Sequence, residues 1–166
     1  METYYTWIDS STGKLLLVGD EEGLSEIVFA QGRTPPVINP SWLCDGALLR
    51  EPARQLHAFF AGELRNFDLQ LRPQGTAFQQ RVWTALRDIP FGETIFYGEL
   101  ARRIGNPAAS RAVGLANGSN PLPIVVPCHR VIGSNGKLTG YGGGLENKRW
   151  LLDFERSQLQ LTFHQV

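Results

Sequence analysis

The strongest constraint on this chain is a change of hydrophobic period at Pro73-Gln74-Gly75. Before it, Tyr4–Asp9, Lys14–Asp20 and Leu24–Ala30 are short apolar-rich runs, separated by the turn-formers Ser10-Ser11-Thr12-Gly13 and Asp20 to Gly23. That spacing predicts a meander of strands. Residues 31–46 are proline-rich with few periodic apolar positions and read as a connecting loop. A helix follows, with Pro52 in its first turn, Leu56, Phe59 and Phe60 on one face, and Gly62 as its stop. Phe67, Leu69 and Leu71 then alternate with polar residues as one more strand would.

After the boundary the period becomes helical. Thr76 and Gln79 form a capping box ahead of Phe78, Val82, Ala85, Leu86 and Ile89. Tyr97 leads a short helix through Leu100, Ala101 and Ile104, stopped by Gly105. Asn106 is placed to cap a third helix, with Pro107 first and a body from Ala108 to about Ala116. Two short helices joined by a tight glycine-containing turn make a helix-turn-helix signature. A final helix spans roughly Leu145–Glu155. The expected fold class is α+β: a small antiparallel sheet plus helix over residues 1–75, then a mainly helical domain over 76–166.

Formal net charge is zero, but the sum hides a division. Residues 1–75 carry six Lys/Arg against ten Asp/Glu, and residues 76–166 carry ten against six. A basic half suits an anionic partner, although chance segregation of surface charge gives the same count. No apolar run approaches the ~20 residues that span a bilayer. The first residues lack the basic-then-apolar layout of a signal peptide. Two distant cysteines are read most economically as free thiols in a reducing, cytoplasmic compartment. Cys44 and His57 are too few soft ligands for a zinc site in the first half, and His57 is read as structural.

Chemistry concentrates in IVVPCHRVIG, residues 124–133. A thiol attacks as thiolate, and its free pKa of about 8.5 leaves it mostly protonated at neutral pH. His129 beside Cys128 is therefore either the base of an activated nucleophile or a turn cap next to a small buried hydrophobe. In an extended stretch the two side chains point to opposite sides, so a bridging water is the expected proton path. Glu155 lies four after Leu151 and three after Leu152, which turns it toward the core. An inward carboxylate demands a partner: either His129, or Arg130 or Arg149 in a structural ion pair.

The helix around Ala109, Ser110, Arg111 and Ala112 carries small side chains from which Arg111 projects alone. It is either a recognition helix allowing close backbone approach or an ordinary tightly packed one. Arg102 and Arg103 suit phosphate contacts, or are solvated surface charges. Tyr97 offers a phenolic proton donor or a half-buried aromatic. Leu138-Thr139-Gly140-Tyr141-Gly142-Gly143-Gly144 is a glycine-rich loop that reads as a bend permitting close backbone approach to a ligand, or as a mobile turn. Asn120 is placed to tie the recognition helix to the cysteine stretch.

Together, GNPAASRAVGLANGSNPLPIVVPCHRVIG and TGYGGGLENKRWLLDFE resemble the C-terminal domain of the methylated-DNA–protein-cysteine methyltransferase family, O6-alkylguanine-DNA alkyltransferases of bacterial Ogt type. The resemblance spans roughly residues 76–156 and implies a winged-helix-like C-terminal domain. The first half is similar to the family's ribonuclease-H-like domain. It implies direct-reversal repair of duplex DNA, in which Cys128 takes the alkyl group from guanine O6 irreversibly and works once. His129, through water and oriented by Glu155, makes the nucleophile, and Tyr97 protonates the departing guanine. The nucleotide is flipped out, and Arg111 fills the vacated stack from a helix in the minor groove. Main-chain carbonyls of Cys128 and Val131 read the guanine amino group, Asn120 braces the site, and Tyr141 and Gly142 line the base pocket. Some family members have serine where this chain has Gly142, and the smaller residue is expected to admit bulkier alkyl groups. The resemblance implies no metal or organic cofactor, no membrane partner, and a monomer in solution with cooperative loading on DNA left open. The whole reading needs a sulfur that is held deprotonated and within reach of an everted purine.

Overall fold

The run Leu15-Leu16-Leu17-Val18 sets the architecture of the first half, because all four side chains are buried. A strand hides both of its faces only when it is central and covered on both sides. In the computed structural model, which describes residues 1–164, this run is β2 (Leu15–Asp20), flanked by β1 (Tyr4–Ile8) and β3 (Gly23–Phe29) in antiparallel pairing. The β1–β2 turn closes on Gly13 at φ +91°, with the Ser10 hydroxyl donating to its carbonyl at 2.7 Å.

Two expectations for this half are corrected. The loop over 31–46 contributes a short strand, β4 (Leu43–Cys44), parallel to β1 and completing the order β3-β2-β1-β4. The segment at Phe67–Leu71 is no strand beyond one bridge between Leu24 and Leu71. The buried Gln55 side chain of α1 (Arg50–Phe60) competes for that backbone, donating to Asp68 O and accepting from Asp68 N, both at 2.9 Å. Leu56 and Phe59 face the core, whereas His57 is exposed and so has no core role. The compact unit ends at Gln74, and the next begins at Gly75.

The second unit opens with α2 (Ala77–Leu86), whose Thr76–Gln79 capping box is formed in both directions. A two-residue strand, β5 (Ile95–Phe96), feeds directly into α3 (Tyr97–Arg103). Gly105, at φ +80°, makes the turn after it. The third helix is not continuous as expected. Pro107–Ala109 form one 3-10 turn, α4 spans Ser110–Gly118, and Asn106 supplies no side-chain cap. Trp83 of α2 donates its indole N–H to Ala116 O at 2.8 Å, which fixes α4 against the unit's core.

Strand β6 (Val131–Ile132) pairs parallel with β5, Ile95 opposite Val131 and Phe96 opposite Ile132. That small pair sets where Tyr97, just after β5, lies relative to Cys128, just before β6. The last helix, α5 (Leu145–His164), runs well beyond the expected end at Glu155. No glycine or proline follows Glu155 to stop it, and Trp150 stacks on Phe154 one turn on at 4.9 Å. No helix among the described residues is long and apolar enough to cross a membrane.

Candidate functional site

The cysteine stretch is not extended. Residues after Asn120 coil into a turn closed by Val126 N–H on Leu122 O at 2.9 Å, with Ile124 in the left-handed region at φ +77°. A β-branched residue there is strained, and such strain persists only where its surroundings over-determine it. Asn120 provides that restraint: its amide donates to Val126 O at 2.8 Å and accepts from Leu122 N at 3.0 Å. Asn120 therefore ties the end of α4 to the cysteine stretch. Cys128, His129 and Arg130 then form a 3-10 turn. The expectation of alternating side chains does not hold there, because a helical turn fans successive residues around an axis rather than to two faces.

Glu155 resolves its two proposed partners by taking both. His129 Nε2 lies 2.7 Å from Glu155 Oε2, and Arg130 donates from Nε to Oε1 and from Nη2 to Oε2, each at 2.9 Å. Gly92 N–H adds a bond to Oε1 at 3.1 Å. Arg130 also donates to Ile89 O at 2.7 Å, while Arg149 is exposed and takes no part. Burial works to raise the Glu155 carboxyl, but the hydrogen bonds and charges of His129 and Arg130 outweigh it and hold it at about 2. Burial lowers the His129 imidazole more than Glu155 raises it, so the ring is neutral at rest. With an ionised carboxylate as its partner, Nε2 carries the proton and Nδ1 is left as an acceptor. Nδ1 has no partner among the described residues.

Cys128 is 4% exposed, and burial pushes its thiol up to about 11, with Asn120 and Lys148 pulling the other way. This corrects the expectation of a sulfur held deprotonated. The resting group is a thiol, because a thiolate in low-dielectric surroundings loses its hydration. The nucleophile has to be made as it reacts, and a neutral imidazole acceptor in the next residue is what that requires.

Sequence reasoning missed Lys148. Its side chain is fully buried and donates from Nζ to Val131 O at 2.7 Å and to Thr139 O at 3.0 Å. Burial lowers this ammonium to about 8, although a Cys128 thiolate would draw it up. The signal was available: Lys148, Leu151, Leu152 and Glu155 share one face of α5 by the same three-and-four spacing that located Glu155. Asn117 was also missed; it is 1% exposed and donates from Nδ2 to Cys128 O at 3.4 Å. Of the two carbonyls expected to read a base, that of Val131 takes the Lys148 ammonium, and that of Cys128 takes both the Asn117 amide and the Val131 N–H. A carbonyl has two lone pairs, so those of Cys128 O are both engaged.

Tyr97 is half-buried at the start of α3, donating its hydroxyl to Thr139 O at 3.2 Å. The glycine-rich loop closes against α4, where a Cβ on Gly118 would come within 3.3 Å of Gly140 O. Tyr141 is buried and its phenol is raised well above the ordinary range, by burial first and then by the neighbouring anionic forms of Cys128 and Glu155. Gly142 is exposed, with only Gly118 O within 3.7 Å of an added Cβ, so a side chain fits there. Ala109, in the turn before α4, and Ser110, its first residue, are half-buried, whereas Arg111 and Ala112 are exposed. Arg111 does not project alone: Leu115, one turn further and 73% exposed, stands on the same face. Arg102 is exposed but shares Glu99 with Arg103, at 3.0 and 3.3 Å.

Residues 77–157 match the family described as 6-O-methylguanine DNA methyltransferase, DNA binding domain, and residues 3–73 match its ribonuclease-like domain. The chain belongs to the 6-O-methylguanine DNA methyltransferase family. A methylated-DNA–protein-cysteine methyltransferase of Methanosarcina acetivorans is 56% identical over 93% of this chain and 99% of its own length. Its counterpart in Mycobacterium tuberculosis is 52% identical, over 93% of both chains. The crystal structure of Mycobacterium tuberculosis OGT in complex with DNA superposes with a TM-score of 0.86 at 52% identity, covering 93% of this chain and 94% of that one. A second structure, of the Mycobacterium tuberculosis O6-methylguanine methyltransferase, gives a TM-score of 0.84 over 94% of each chain. Membership in this family accounts for the α+β class of both units.

Proposed function

We propose that this protein repairs DNA by moving the alkyl group of O6-alkylguanine in a duplex onto Cys128, once per molecule. The observation that carries the reading is a buried thiol followed by a neutral imidazole whose far nitrogen is fixed on an ionised carboxylate. The thiol proton passes by way of water to His129 Nδ1, and the resulting imidazolium is held by Glu155. Sγ attacks the alkyl carbon in line; the S–C bond forms as the C–O6 bond breaks. Tyr97 donates its phenolic proton to the departing guanine, which improves it as a leaving group. A thioether has no easy route back to a thiol, so the site is spent.

The unit from Gly75 onward carries both the chemistry and the duplex contact, with the first unit structural. Exposed Arg111 enters the stack left by the everted nucleotide, Ala109, Ser110 and Ala112 let the α4 backbone approach, and Arg102 meets phosphate. The second lone pair of Val131 O accepts the guanine amino group, and Cys128 O joins it by releasing one of its two protein donors. Tyr141 and Gly142 wall the base, braced through Asn120. Such a protein works where the cell's DNA lies, held to the nucleoid in the cytoplasm.

The test is intact mass after mixing the protein with a duplex bearing O6-methylguanine. One added methyl group per chain, saturating at one and absent in Cys128→Ala, supports transfer. Binding without a mass gain, or turnover without a lasting adduct, contradicts it. A finer expectation concerns Gly142, where the structure leaves room for a side chain. Gly142→Ser should narrow the pocket and lower the rate from benzyl adducts several-fold relative to methyl, since one or two heavy atoms in a pocket are worth roughly 1–3 kcal/mol. Equal rates from both adducts in wild type and variant would count against it.

A further inference from the structure

His129 Nδ1 and Asn117 Oδ1 are buried polar atoms of this unit with no partner among the described residues. Both side chains are shut from solvent, at 0% and 1% exposure. A buried polar atom left alone is costly, so each needs something to bond. The orientation of Asn117 is fixed by Nδ2, which faces Cys128 O at 3.4 Å; turning the amide over would set two oxygens against each other. Oδ1 is therefore an acceptor anchored to the backbone of the nucleophile itself. His129 Nδ1 is an acceptor too, because Nε2 spends its hydrogen on Glu155. One acceptor belongs to the residue after Cys128 and the other to an amide bonded to the Cys128 backbone. Two such acceptors with a thiol donor are the complement of one water molecule, which gives a hydrogen to each acceptor and takes the thiol's. Buried waters typically make about three such bonds.

We propose that Asn117 is a positioning residue for proton transfer out of Cys128, its amide oxygen holding the water through which the thiol proton reaches His129. The inference rests on the alkyl-transfer reading above and deepens it. The S–H proton moves to the water oxygen as a water proton moves to Nδ1, leaving the electron pair on Sγ and the charge on an imidazolium held by Glu155. The water's other hydrogen stays on Asn117 Oδ1 throughout, so the water cannot rotate out of line. The titratable and charged groups around this path are His129 and Arg130 on the same turn, Tyr141 on the glycine-rich loop, and Lys148 and Glu155 on α5. Glu155 and Arg130 are committed to each other, and Lys148 to two carbonyls.

The test uses the full chain with the exposed thiol silenced by Cys44→Ser. The rate of Cys128 carboxamidomethylation by iodoacetamide is followed against pH without DNA, and methyl transfer from an O6-methylguanine duplex is followed beside it. Asn117→Leu, which keeps volume and removes the acceptor, should slow both reactions roughly tenfold at pH 7 and move the pH profile up by about one unit. Asn117→Ser, whose hydroxyl still accepts, should recover most of the rate. Affinity for undamaged duplex and the thermal transition control for the integrity of α4. Adding Asn117→Leu to His129→Gln should cost nothing further, because one water serves both. Equal losses at every pH with an unmoved profile, or additive effects in the double variant, overturn the proposal. If Asn117→Leu does not fold, Asn117→Ala, which also removes the acceptor, takes its place, and an unshifted profile in it overturns the proposal equally. If wild type shows the iodoacetamide profile yet takes no methyl group from DNA, the function fails and the role of Asn117 in thiol ionisation stands.

Discussion

Replacing Glu155 with Gln should produce the largest combined loss of stability and rate of any single substitution outside the nucleophile. The carboxylate is buried and receives His129, both nitrogens of Arg130's fork, and the Gly92 amide. An amide of the same shape cancels the charge and leaves the Arg130 guanidinium buried without a counter-ion. Breaking one side of a buried pair costs about 3–5 kcal/mol, and chemical denaturation should show a loss of that size. The pH dependence carries the same signature. The Glu155 carboxyl sits at about 2 in the fold against an ordinary 4.5, so its stabilisation is complete above pH 4.5 and is lost as pH falls through about 2. In Glu155→Gln that part of the acid sensitivity should vanish. Methyl transfer at pH 7 should fall on the order of 10²- to 10⁴-fold, because the imidazolium formed on His129 loses the charge that holds it. A stable, acid-insensitive variant that still transfers at the wild-type rate would show that the carboxylate has no part in the relay.

Lys148→Met should give the second-largest effect. The ammonium bridges Val131 O, at the end of the cysteine turn, to Thr139 O, to which Tyr97 also donates its hydroxyl. Losing it unties the glycine-rich loop from the strand that follows Cys128. It also leaves a carbonyl unsatisfied in the interior, at a cost of about 1–3 kcal/mol. The rate should fall by about 10- to 100-fold, for an electrostatic reason as well: a cation near Sγ favours the thiolate over a thiol that burial holds near 11. In wild type this help is present below about pH 8, where the lysine is charged, and fades as pH rises through that value. The gain in rate from raising pH should therefore flatten near pH 8 in wild type and continue upward in Lys148→Met. Parallel profiles in the two proteins would reduce Lys148 to a structural tie.

Where a single local rule governed, the fold was legible in the sequence. The Thr76–Gln79 box, the buried β2 run and the inward turn of Glu155 each follow from periodicity or from one capping pair. Misreadings arose where two rules competed. Phe67–Leu71 alternates like a strand, yet the Gln55 amide takes the backbone of Asp68 that a ladder would have used. Ile124-Val125-Val126 has strand propensity, yet Asn120 folds it into a turn with Ile124 left-handed. That turn displays Cys128, and no propensity scale contains it. The state of the thiol was misjudged for a related reason: the residues give its neighbours, but its burial depends on elements brought in from α4 and α5. Lys148 was readable from its spacing with Glu155, and Leu115 from its four-residue step after Arg111. Both lie outside the cysteine motif, and only their positions on a helix face mark them.

The central claim is chemical selectivity against exposure, and the two cysteines offer the contrast. Cys44 is exposed and Cys128 is buried, so a freely diffusing alkylating agent meets Cys44 first. A base delivered into the site meets only Cys128. The protein should be reacted with a duplex carrying isotopically labelled O6-methylguanine and digested, and the labelled peptide sequenced by mass spectrometry. The account predicts the label on Cys128 alone, in the peptide containing Pro127 and His129. Label on Cys44, or divided between the two thiols, would contradict it.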